Sequence, residues 1–150
     1  MKKAQTSKLV KITPPAAIAN NTSPATSSVD TKGFRYARIV LFLGATDIAL
    51  TALKVQEADD DSTYSDITGT VMGTDNNTGG SASTLPSATD DNKFFVFEID
   101  LRGRKRYLDL VMTGGDGAAG TYATALAILS RAKVVPDSVT EKGLAAEVNV

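Results

Sequence analysis

Between Lys93 and Ser130 the chain reads KFFVFEIDLRGRKRYLDLVMTGGDGAAGTYATALAILS, three apolar-rich runs separated by an Arg/Gly turn and a Gly-rich turn. In the first run Phe95, Phe97, Ile99 and Leu101 share one parity while Glu98 and Asp100 share the other, the two-residue period of a half-buried strand. In the second, Leu108, Leu110 and Met112 alternate with Tyr107 and Asp109; in the third, Tyr122, Leu126 and Ile128 alternate with small Ala and Thr residues. The pattern predicts three strands in a β-meander. Direct pairing of the first two needs an even-numbered loop, residues 103–106, and sets Asp100 opposite Asp109. Like charges facing each other across a ladder are destabilising. Either a cation such as Arg35, Arg38 or Arg102 lies between them, or the two strands belong to different sheets.

Upstream, TKGFRYARIVLFLGA places Phe34, Tyr36, Val40 and Phe42 on one face of a strand and Ala37, Ile39, Leu41 and Leu43 on the other. Two apolar faces imply burial on both sides, by a second sheet and by a neighbouring subunit or the N-terminal segment. A turn at residues 44–47 leads to a strand over 50–57 carrying Leu53 and Val55, and Ile67, Val71 and Met72 add a short one. The polar stretch 70–92 is expected to be an exposed flap or a partner-contact loop. Residues 1–31, with Pro14, Pro15 and Pro24, read as an extended arm. Its apolar island Leu9, Val10 and Ile12 is either a floppy terminus or a strand laid on a partner. After Arg131 alternation is lost and Pro136 ends the strand pattern, so residues 134–150, with Val134, Val135, Leu144, Val148 and Val150, read as a strap packed on something. The expected fold is all-β, an antiparallel β-sandwich over residues 32–133, jelly-roll-like, with the N-terminal arm before it.

A length of 150 residues suits one domain that buries roughly two thirds of its unfolded surface. The chain has neither cysteine nor histidine. This removes the commonest general base, the commonest metal ligand and the Ser-His and Cys-His nucleophile pairs, so the expectation is a non-enzyme without cofactor. A net charge of −1 and a pI near 5.4 give no overall electrostatic footprint for nucleic acid. The N-terminal MKK and the small residues at 16–19 have the outline of a signal peptide, but the intervening AQTSKLVKITPP is too polar. The most apolar run, residues 37–45, is far shorter than a membrane-spanning helix. The sequence therefore predicts a protein made in the cytoplasm, with no membrane partner.

Four segments invite a chemical reading. Asp59, Asp61 and Asp66 carry the oxygens calcium uses, but Tyr64 stands where the helical calcium loop needs Gly and Thr70 where it needs Glu, so a solvated turn accounts better for them. Arg102, Arg104, Lys105 and Arg106 form the dense cation cluster. It is short and lacks stacking partners beyond Tyr107, which favours arginines paired with carboxylates across an interface over nucleic-acid binding. The Gly-rich stretch 113–120 lacks the Gly-Lys-Ser/Thr ending of a phosphate loop and reads as a flexible turn. Glu98, Asp100 and Asp109 resemble a hydrolytic carboxylate set only in residue type, with nothing to form a cleft around them.

Taken together, TKGFRYARIVLFLGATDIALTALKVQEADD, STYSDITGT, LPSATDDNKFFVFEIDLRGRKRYLDLVMT and GTYATALAILSRA resemble a family of tailed-bacteriophage structural proteins, the capsid cement or decoration proteins. The likeness covers roughly residues 30–132 and runs loosely into KGLAAEVNV; DLRGRKRYLDL is its most distinctive core. It implies a sandwich or jelly-roll module on the virion exterior, a homotrimer that binds the major capsid protein and bridges capsomers. Leu9, Val10, Ile12, Arg35, Arg38, Arg102, Arg104, Lys105 and Arg106 are then the candidate capsid or subunit contacts. A head-fibre base, or a tail-tube or connector component, would use the same sandwich. A carbohydrate-binding adhesion module is disfavoured by the absence of Trp and the few aromatics.

Overall fold

The computed structural model describes residues 7–15, 18–74 and 84–148. Residues 1–6 of the expected arm, Ala16 and Ala17, residues 75–83 of the polar loop, and residues 149–150 of the expected strap, Val150 included, lie outside the described residues. The described residues form eight strands: β1 Lys8–Thr13, β2 Val29–Asp30, β3 Tyr36–Thr46, β4 Ala52–Ala58, β5 Ser65–Asp66, β6 Phe94–Asp100, β7 Tyr107–Thr113 and β8 Thr121–Ser130. They form two antiparallel sheets, β1-β8-β3-β6 (sheet one) and β2-β7-β4-β5 (sheet two), as expected for a sandwich.

The core lies between the sheets and follows strand parity. From β3, Ala37, Ile39, Leu41 and Leu43 are fully buried, and from β4 and β7 Leu53, Val55, Leu108, Leu110 and Met112 meet them. Large and small side chains complement one another across sheet one. Ile39 lies opposite Ala127 and Leu41 opposite Ala125, so β8 presents small residues inward where β3 presents large ones, as close packing requires. Tyr122, Leu126 and Ile128, which dominate the apolar pattern of β8, consequently face outward, with Tyr122 exposed and the other two half-buried.

Three expectations are corrected. First, residues 93–130 are not a meander: β6 and β8 belong to sheet one and β7 to sheet two, so the chain crosses the sandwich twice. Asp100 and Asp109 are thereby kept apart. Asp100 lies opposite Tyr36 and is paired with Arg102 at 2.5 Å, while Asp109 lies opposite Gln56. Second, residues 8–13 pair with β8 of their own chain. Ile12 is fully buried, because this pairing turns its side chain into the core between the sheets. Third, the Gly-rich segment after β7 is not a flexible turn. A Cβ added at Gly115 would lie 2.3 Å from the carbonyl oxygen of Ala49, and one at Gly114 would lie 2.4 Å from that of Ala19. The Asp47 carboxylate accepts hydrogen bonds from the amides of Ala119 (2.5 Å) and Gly120 (3.0 Å), and Asn20 brackets Gly117 through both its N–H and its carbonyl. β3 also runs through Gly44 to Thr46, into the expected turn, with an irregularity between Leu43 and Thr46.

The C-terminal segment crosses the outer edge of β1. The Leu9 amide donates to the carbonyl of Lys142 at 2.8 Å, and the buried Lys142 ammonium is paired with Glu147 at 2.6 Å.

Asp109 offers a test of whether its carboxyl is compensated by a cation. Burial pushes its carboxyl above the usual range, and Asp61 adds to the effect, against a hydrogen bond from Thr26. A carboxylate whose folded pKa is raised opposes folding once it ionises, so the neutral isostere should help at pH 7. Asp109→Asn is expected to raise Tm by roughly 1–3 °C in calorimetry at pH 7. The gain should vanish below the ordinary carboxylate pKa, where the native side chain is already neutral in both states; a fall in Tm at pH 7 would show a compensating cation instead.

Candidate interaction surface

The outward side of sheet one is largely apolar. Because directly paired residues of an antiparallel sheet point the same way, the register aligns the outward side chains in rows. Phe94 lies opposite Phe42 and Phe42 opposite Thr124; Val96 lies opposite Val40, Val40 opposite Leu126, and Leu126 opposite Lys11. Glu98, Arg38, Ile128 and Leu9 make the next row, and Asp100, Tyr36 and Ser130 the last. Phe94 is 67% exposed, Tyr122 49% and Val96 47%. Those three side chains alone leave roughly 300 Å² of apolar surface, the size of the largest patch on many monomers. The Phe42 and Phe94 rings are tilted against each other with centroids 4.8 Å apart. A groove of about 190 Å³ runs along Pro15, Phe42, Gly44, Tyr122, Ala123 and Thr124. That is smaller than the few hundred cubic ångströms of a typical small-molecule site, and suits a side chain of a docking protein.

One margin of this face is charged and internally neutralised. Glu98 accepts from the Tyr36 hydroxyl (2.5 Å) and from Arg38 Nε (2.7 Å). The Arg38 guanidinium holds the Glu98 carboxyl below the usual range, and Glu98 in turn raises the Tyr36 phenol. Asp100 is held at about 2 by Arg102, and Arg131 stacks over the Tyr36 ring at 5.5 Å.

The basic turn is occupied at the other sheet. Arg106 pairs with Asp30 of β2 (2.9 and 2.8 Å) and stacks over Tyr107 at 4.9 Å. Arg104 reaches Glu57 of β4 at 3.3 Å; the Lys105 amide donates to the same carboxylate and its ammonium to Ser65. Arg104 and Arg106 thus find carboxylates in their own chain and tie the crossover between β6 and β7 to the strands on both sides of β7. Arg35 is exposed, and its main chain bonds Ser130 and Leu101.

The expected contact residues are therefore divided. Leu9 and Arg38 lie on the outward face of sheet one, Val10 and Ile12 turn toward the core, and the basic turn lies at the end of the sandwich. Phe94, Val96 and Tyr122 went unrecognised as surface residues. The signal for the first two was present, since both stand on the polar parity of β6 beside Glu98 and Asp100. In the acidic segment, Asp60 accepts the amides of Ser62 and Thr63 and Tyr64 donates to Asp61, which close the turn, while Asp66 of β5 binds Lys54 and Gln56 of β4.

No protein family and no curated protein matches the chain. Among solved structures it is similar to the SPBc2 prophage-derived protein YomS, with a TM-score of 0.43 and 16% identity over 82% of this chain and 91% of that one.

Proposed function

We propose that this chain is a structural protein of a tailed-phage particle, a cement or decoration protein that binds the major capsid protein on the outside of the expanded capsid. The observation that carries the reading is the outward face of sheet one, where Phe42, Phe94, Val96, Tyr122 and Leu126 form an apolar surface on a rigid sheet. The resemblance of residues 30–132 to that family supports it from the sequence side. Binding that recognises only the expanded lattice stabilises that lattice by mass action, and it needs complementary surface without catalytic groups. The charged margin then serves as a polar rim that orients the contact, with Arg38 and Glu98 already paired to each other. Bound as an oligomer, the protein adds weak contacts through effective concentration.

Tyr122→Lys with Leu126→Lys places two cations on this face without touching the core. The double variant is expected to keep the wild-type circular dichroism spectrum and to lose at least about tenfold in affinity for expanded capsids in a co-sedimentation assay. Wild-type occupancy by a folded double variant would overturn the assignment of this face.

A further inference from the structure

We infer that the free edge of β6 is a strand-addition site for a second copy of the chain, joining two molecules through one continuous sheet. The two edges of sheet one are built differently. β1 carries Lys8 and Lys11, breaks register between Lys11 and Thr13, and is crossed by the C-terminal segment, whose Lys142 carbonyl takes the Leu9 amide. Lysines, irregularities and covering segments are the usual ways of blocking an edge. β6 has none of them: FFVFEID holds no Lys or Pro, its register with β3 is unbroken over all seven residues, and sheet one ends there among the described residues.

The hydrogen-bonding parity shows what that edge offers. The Leu43 amide bonds the carbonyl of Lys93, and the Leu101 amide that of Arg35, so the odd-numbered residues between them bond β3. The amides and carbonyls of Phe94, Val96, Glu98 and Asp100 therefore point away from the sheet. The same edge also carries the exposed apolar side chains Phe94 and Val96.

The occupant follows from complementarity. Among the described residues the other uncovered edges, β2 and β5, are two residues long, too short to match β6. The matching strand is β6 of a second molecule, which makes the contact two-fold and isologous. Full antiparallel overlap sets Phe97 against its own copy and Phe95 against Ile99, aromatic and β-branched pairs that stabilise a ladder. On the outward face Val96 meets Glu98 and Phe94 meets Asp100, so no acid opposes an acid. Glu98 and Asp100 also arrive neutralised by Arg38 and Arg102. The area is at the low end for a specific interface, so the dimer is expected to form in the micromolar range, with a Kd of about 10 µM.

The test is light scattering with analytical ultracentrifugation of the full chain across that range, with amide exchange read by NMR at low and high concentration. The inference expects a mass rising to twice the monomer, and Val96 and Glu98 amides that slow as it rises. Val96→Pro removes an amide that β3 does not use and should give a folded monomer; Val96→Lys is the second variant should proline disturb the strand. A monomer up to about 500 µM, a trimer, or a dimer that survives both substitutions overturns it. Capsid co-sedimentation keeps the two proposals apart. A wild-type monomer that decorates capsids overturns this contact and leaves the proposed function standing, whereas a wild-type dimer that ignores capsids overturns the proposed function and leaves this contact standing.

Discussion

Ile12→Ala is expected to destabilise the protein by about 2–5 kcal/mol, measured as a fall in the urea midpoint at unchanged slope. The side chain is fully buried, the Ile12 carbonyl accepts the Ser27 amide at 3.0 Å, and the strand it belongs to pairs with β8 along its length. Truncation leaves a cavity that the flanking Ala125 and Ala127 are too small to fill. The same reasoning governs removal of residues 1–31. That deletion takes away β1, β2 and the buried Val29, and uncovers the edge of β8, so it should yield an aggregating or unfolded chain rather than a domain lacking an appendage. A change of less than about 0.5 kcal/mol for Ile12→Ala would mean that β1 is dispensable to the fold, restoring the expected role of residues 1–31 as a reaching arm.

Gly115→Ala should be the second large effect, at about 2–3 kcal/mol. Its Cβ would sit 2.3 Å from the Ala49 carbonyl oxygen and 2.6 Å from Ile48 Cγ2, and backbone oxygen has no room to retreat. The segment between β7 and β8 is held by Asp47 and Asn20 on either side, so the clash cannot be relieved by letting the crossover swing out without losing those bonds. Gly103→Ala is the control. There the backbone is left-handed (φ +75) but nothing lies within 4 Å, so only the conformational cost of about 1 kcal/mol applies. Equal effects at the two glycines would show that the crossover yields easily and that packing there is loose.

How far the sequence could be read depended on which physical signal each element carries. Strand existence was legible because burial on one face imposes a period of two, and β3, β4, β6, β7 and β8 all show it. The doubly apolar character of β3 was legible for the same reason, and its outward half is now the centre of the candidate surface. The partners of the basic turn were less so. Arg104 and Arg106 were expected to meet carboxylates, but Glu57 and Asp30 are 47 and 76 residues away in sequence, and nothing local distinguishes them from acids on another molecule.

Short strands in polar surroundings were the hardest. The six residues of β1 include two lysines, and their island of three apolar positions is too brief for a period to separate a core strand from a loose terminus. On β8 the pattern was visible but its sense was inverted. Leu126 and Ile128 are the larger residues, yet Ala125 and Ala127 face the core because Ile39 and Leu41 of the adjoining strand already fill the space.

The sequence by itself determined that this protein is a sheet protein, where its longer strands run, and which residues share a face of each, because those properties follow from alternation within a single segment. Only the tertiary structure decided to which sheet each strand belongs and which face of it looks inward. Consecutive strands cross between the sheets at every connection but that of β4 to β5, so most neighbours in sequence are not neighbours in the ladder. The inward face is chosen by the volumes of side chains brought together from distant segments, a property of the assembled core and of no single strand.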